Sequence, residues 1–188
     1  GDTIEILPGY QKTKIRGIQS HESSVDSVQL GDRAAINLQG IEAGELERGY
    51  QLATPGYFQN HFTLGAKVNI LSSSKHGLVQ NQRVRIHLST QEVMARIALP
   101  DRSLIKPGDE GPVIFRLEKS LIASIGDKFI IRQFSPVITI GGGEVIETEL
   151  TGKWKHNKEK ITHLYNLKDD RRFRYKIESA AGKPVSRS

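Results

Sequence analysis

Apolar and polar residues alternate with a period of two through much of the first 150 positions. In Arg83-Val84-Arg85-Ile86-His87-Leu88 every second side chain is apolar, the pattern of a strand with one face in a core and the other outside. The pattern predicts strands over 3–7, 12–21, 33–38, 51–53, 62–71, 82–88, 92–99, 111–117, 128–133 and 137–146. Turn signals separate them at Pro8-Gly9, Gly31-Asp32, Pro55-Gly56, Pro100-Asp101, Pro107-Gly108-Asp109 and Gly126-Asp127. Strands at this density, with no helices between them, predict closed or sandwiched antiparallel sheets.

Turn residues at Thr54-Pro55-Gly56 divide the β region into blocks 1–56 and 57–150. The second block is long enough for a complete barrel. The first has too few strands to close one, so we expect it to be incomplete at its N-terminus, with opening strands upstream. After Ile146 the period changes. Ile161, Leu164, Tyr165 and Leu167 recur at helical spacing, and Phe173, Ile177, Ala180 and Ala181 repeat it. Asp169 or Asp170 is the expected N-cap of the second helix. Residues 151–188 therefore read as a basic linker and helices.

Charge follows the same division. Residues 1–150 carry 16 basic and 17 acidic side chains, whereas 151–188 carry 11 and 4. The tail's Lys153, Lys155, Lys158, Lys160, Arg171, Arg172, Arg174 and Lys176 interleave with Trp154, Tyr165, Phe173 and Tyr175. This mixture suits either a solvated helical surface or contact with nucleic acid. The chain has no Cys, which excludes disulfides, thiolate metal sites and a Cys nucleophile, and fits a cytoplasmic protein. No apolar run is long enough to cross a membrane. The six His are scattered without ligand spacing, so no metal site and no catalytic set is expected. Neither G-x-x-x-x-G-K-[ST] nor G-x-G-x-x-G occurs, so these residues alone are expected neither to bind nor to hydrolyse a nucleotide.

The run Phe134-Ser135-Pro136-Val137-Ile138-Thr139-Ile140-Gly141-Gly142-Gly143 stands apart. Three glycines inside a β pattern mean that the backbone passes very close to a neighbouring strand or to a bound partner. The runs Gly1-Asp2-Thr3-Ile4-Glu5-Ile6, Leu30-Gly31-Asp32-Arg33-Ala34-Ala35-Ile36-Asn37-Leu38 and Glu45-Leu46-Glu47-Arg48-Gly49-Tyr50 resemble the second and third domains of translational GTPases related to elongation factor Tu. The Phe134…Gly143 run and the segment from Arg83 to Ile97 narrow the resemblance to the selenocysteine-specific elongation factors. One departure is Leu88-Ser89, where that family usually has a second His and a Gly after the position of His87.

The resemblance implies a mainly β fold. Two translation-factor-type antiparallel β-barrels, a domain II-like 1–56 and a domain III-like 57–150, would precede the start of a winged-helix-like module at 151–188. It implies a GTP-dependent factor that delivers selenocysteyl-tRNA to the ribosome. GTP and Mg would sit in an upstream G domain and an mRNA hairpin would be bound by modules further on. It places Arg33 in the pocket for the aminoacyl group. A guanidinium there would favour a selenolate over a Ser hydroxyl; the alternative is that Arg33 pairs with Asp32 or Glu5 on the surface. Gln19 and His21 fall at the tRNA acceptor end, or else at an ordinary strand end. Arg83, Arg85, His87 and Arg96, with Gly141, Gly142 and Gly143, fall on the tRNA stem; the alternatives are a solvated strand face and tight packing between strands. Other readings of the same residues are the tRNA-binding barrels of a general elongation factor and a free-standing RNA-binding barrel.

Overall fold

The computed structural model describes residues 1–167. The second predicted helix, with Asp169, Asp170, Arg171, Arg172, Phe173, Arg174, Tyr175 and Lys176, lies outside the described residues.

Five strands form the first sheet: β1 (Thr3–Leu7), β2 (Gln11–Ser20), β3 (Ser23–Val25), β4 (Ala35–Leu38) and β5 (Gln51–Ala53). The order is β3-β2-β1-β5, with β4 also against β2. Ser20 pairs with Ser23, so the β2–β3 hairpin turns on His21 and Glu22, both at positive φ (50° and 65°). The predicted strand 12–21 is thus corrected, because His21 belongs to the turn. The strand predicted from Arg33 also starts later, at Ala35. A short 3-10 turn, Ala43–Glu45, is closed by a reciprocal pair of caps between Glu42 and Glu45. It leads to Gly49, whose φ of +101° no other residue type adopts easily.

The second unit is a closed barrel. Its strands are β6 (Asn60–Ile70), β8 (Arg83–Leu88), β9 (Gln91–Ala98), β11 (Glu110–Ile122), β12 (Lys128–Gln133) and β13 (Thr139–Glu147). They close in the order β11-β6-β13-β12-β8-β9. A small ribbon of β7 (Leu78–Val79) and β10 (Leu104–Ile105) caps one end. Inward side chains fill the barrel, among them Leu64, Val68, Ile70, Val84, Ile86, Leu88, Ile97, Phe115, Ile131 and Val145. Phe115 and Phe129 meet edge to face at 5.3 Å in its centre.

The helix α1 (Trp154–Asn166) lies on the outside of this barrel. Its Ile161 and Leu164 bury against Ala98, Ile114 and Ile146, a second core on the outer face. Lys160 reaches the nearly buried Glu147 at 2.8 Å. The other oxygen of Glu147 accepts from the backbone N–H groups of Thr148 and Glu149, at 2.9 and 2.8 Å, and so turns the chain into the helix. Tyr165 donates to Glu110 at 3.2 Å. Three anchors of different kinds, apolar, ionic and hydrogen-bonded, therefore fix α1 to the barrel.

The two units touch directly. Leu7, Ala53 and Ile122 form a small shared core with Phe58, and Asn60 bonds to Pro8 and Tyr10.

Candidate nucleic-acid interface

The burial of β8 alternates as its sequence does. Val84, Ile86 and Leu88 are inside the barrel, while Arg83, Arg85 and His87 stand on the outer face. Register carries the basic face sideways. Arg83 lies opposite Arg96 of β9, and Arg96 lies opposite Arg116 of β11. On the other side Arg85 lies opposite Arg132 of β12. The structure thus joins the four predicted basic residues and adds Arg116 and Arg132.

Two carboxylates answer this face. Glu118 takes a two-pronged pair from Arg83, at 2.7 and 2.6 Å. That hydrogen bonding holds the Glu118 carboxyl below the usual range and raises Arg83 further. Glu92 takes Arg85 at 2.5 Å and lies 3.7 Å from Nε2 of His87. Phe134 lies beneath both guanidiniums, 4.6 Å from Arg83 and 5.6 Å from Arg85. Its ring holds the planar groups in place by cation–π contact, worth about 0.5–1 kcal/mol each at an exposed site. Phe134 closes β12 into the Ser-Pro turn of the Gly-rich run, so the oddest stretch of the sequence underlies the basic face.

The three glycines are in mid-strand, paired on both sides with β6 and β12. A Cβ on Gly143 would come within 2.1 Å of the Lys67 carbonyl oxygen, and one on Gly141 within 2.4 Å of that of Asn69. One on Gly142 would come within 2.7 Å of the Phe129 carbonyl oxygen. The close approach these glycines allow is to the neighbouring strands.

In the first sheet, a cleft of about 500 Å³ opens between β2, β3 and β4. Gln19 lines it, opposite Ala35, with Arg16, Ile18, Ser24, Asp26 and Asn37. Arg33 is exposed and is not among the lining residues. It stands beside the cleft, where its carbonyl accepts from the Ser20 hydroxyl at 3.1 Å. The alternative of an ion pair with Asp32 or Glu5 is not what the structure has. Asp32 caps Gln29 and Glu5 accepts from Gly56. Arg33 makes no ion pair among the described residues. His21 is exposed in the hairpin turn one residue beyond the end of β2. Among the described residues there is no group of His, Asp and Glu able to hold a metal ion. Among the described residues no helix is long and apolar enough to cross a membrane.

Comparison with known proteins agrees with this architecture. The family described as "Selenocysteine-specific elongation factor, beta-barrel domain" matches residues 66–151. A selenocysteine-specific elongation factor of Desulfomicrobium baculatum is 33% identical over 162 residues, which cover 86% of this chain and 26% of the relative. The crystal structure of translation elongation factor SelB from Methanococcus maripaludis, in its apo form, superposes with a TM-score of 0.67 at 25% identity. That match covers 79% of this chain and 36% of the Methanococcus maripaludis chain. The chain thus spans about a quarter of the length of the curated relative it matches (26%). Over residues 66–151 the chain carries the β-barrel domain of the selenocysteine-specific elongation factor family, and along most of its length it resembles a segment of those factors.

Proposed function

We propose that this chain is the tRNA-gripping part of a selenocysteine-specific translation elongation factor. The observation that carries the reading is the outer face of β8. Arg83, Arg85 and His87 alternate outward there, beside Arg96, on the barrel that matches the family. Such a ridge suits the phosphates and 2′-hydroxyls of an RNA stem, which are read by shape. The glycines Gly141, Gly142 and Gly143 let β13 pack tightly between β6 and β12, leaving a side-chain-free stretch two strands from β8 along which the stem can run.

The cleft beside Gln19 receives the acceptor end of the tRNA. A carboxamide both donates and accepts, as a ribose or base edge requires. His21 flanks that end from the hairpin turn. Arg33, free of carboxylate partners among the described residues, meets the aminoacyl group at the cleft. There it favours a selenolate over a neutral hydroxyl. In this reading the full-length protein delivers selenocysteyl-tRNA to the ribosome in the cytoplasm. GTP and Mg occupy its G domain, and further modules bind an mRNA hairpin. The segment itself is a binding element rather than an enzyme.

The test is the binding of selenocysteyl-tRNA and seryl-tRNA by the full-length protein and its Arg33→Ala variant. Loss of a charge-assisted contact should weaken the selenocysteyl form roughly ten- to a hundredfold and leave the seryl form almost unchanged. Equal losses for both would remove Arg33 from the pocket.

A further inference from the structure

We propose that the RNA-binding surface does not end at the barrel but runs across β9 and β11 onto α1. Arg96, Arg116, Trp154 and Lys158 would form a second phosphate track there for double-stranded RNA. This rests on the reading of the β8 face as an RNA surface and extends it to a segment which that reading does not use.

The first ground is register. Arg83, Arg96 and Arg116 stand abreast on three adjacent strands, each directly opposite the next. Like charges placed directly opposite destabilise a sheet, so folding alone does not favour this row. Glu118 is engaged by Arg83. Arg96 feels the same Glu118 carboxylate through space without forming a close pair, and makes a long contact to the Asn81 carbonyl at 3.5 Å, while Arg116 donates to the Asn81 side chain at 2.9 Å. Neither Arg96 nor Arg116 makes an ion pair among the described residues.

The second ground is the helix. The Arg116 guanidinium lies 5.8 Å from the ring centre of Trp154, and the Lys158 ammonium lies 5.6 Å from the same centre. Two cations approach the ring of Trp154, a residue that is 40% exposed. The first turn of α1 has no acidic residue, although the helix dipole favours one there. Attraction to the ring holds both cations in place, and the start of the helix leaves its dipole without an acidic partner, so a polyanion would supply the counter-charge that this patch lacks. The spacing is fixed, because Ile161, Lys160 and Tyr165 pin α1 to the barrel. Trp154 also offers a face on which a ribose or an unpaired base can pack.

The experiment is fluorescence anisotropy of the 188-residue chain with a labelled selenocysteine tRNA transcript over a salt series. Wild type is compared with Arg116→Gln, Lys158→Gln, Arg116→Lys and Arg85→Gln. Arg116→Gln and Lys158→Gln should each weaken binding roughly two- to fivefold. Each should also lower the log–log salt slope by about one, while Arg116→Lys keeps the slope. If Arg85→Gln lowers the slope and the Arg116 and Lys158 variants do not, the track is overturned and the β8 reading stands. If the Arg116 and Lys158 variants lower it and Arg85→Gln does not, the track stands and the β8 reading falls. If wild type shows no salt-dependent binding, both fall.

Discussion

Gly65 of β6 lacks a side chain where Ile161 of α1 needs the space: a Cβ on Gly65 would come within 2.0 Å of the Ile161 Cδ1 and 3.2 Å of the Glu147 Cβ. The helix is therefore keyed into the barrel wall, and Ile161 is fully buried there. We predict that Gly65→Ala costs about 1–3 kcal/mol by overpacking. Ile161→Ala should cost about 2–5 kcal/mol through the cavity it leaves. The double variant should be clearly less destabilised than the sum, because the smaller side chain makes room for the added methyl. Denaturant unfolding of the four proteins measures this, and strict additivity would mean that the two positions do not share the notch.

The seam between β13 and β6 makes a different demand. At Gly143 the obstacle is a backbone carbonyl, which cannot swing aside as a side chain can. Gly143→Ala should therefore cost at least as much as Gly65→Ala, about 3 kcal/mol or slightly more. A drop in the thermal midpoint, with the chain still β-rich by circular dichroism, is the expected result.

Much of this was legible from the sequence, and the reasons differ from place to place. β8 alternates cleanly because its outer face carries only polar groups, so Arg83, Arg85 and His87 could be placed without coordinates. β11 hid its pattern. Val113, Ile114 and Phe115 are all buried, since α1 covers the outer face at Ile114 while the barrel takes Val113 and Phe115. That unbroken apolar run gave no cue that Arg116 faces outward beside Arg96. β3, β7 and β10, of three, two and two residues, are too short for any period to show. The site in the first sheet was the hardest to read. Gln19 was found at the cleft, but spacing cannot tell a lining residue from Arg33, which stands two positions before the cleft residue Ala35. The Gly-rich run announced a close approach, and only the barrel's closure shows β6 and β12 on either side of it.

His61, at the start of β6, links stability to pH. Burial pushes its imidazole below the ordinary value of 6.5, against the opposing pull of Glu149 and Glu147. The folded state therefore resists protonation where the unfolded chain accepts it. As pH falls through 6.5, the unfolded state binds more protons and stability declines. We predict that this decline, followed by urea midpoints from pH 7.5 down to about pH 5.5, is shallower in His61→Gln than in wild type. Parallel curves would show that His61 titrates alike in both states.

The central claim is that the outer face of β8 holds RNA by its phosphates, and Arg85 tests it most directly. In the free chain its guanidinium is held by Glu92 and lies over Phe134, ready to exchange a carboxylate for a phosphate. The measurement is the salt dependence of selenocysteine-tRNA affinity for wild type and Arg85→Ala, with charged and uncharged tRNA. The account predicts weaker binding whatever the attached amino acid, with the log–log slope reduced by about one. An unchanged slope would contradict it.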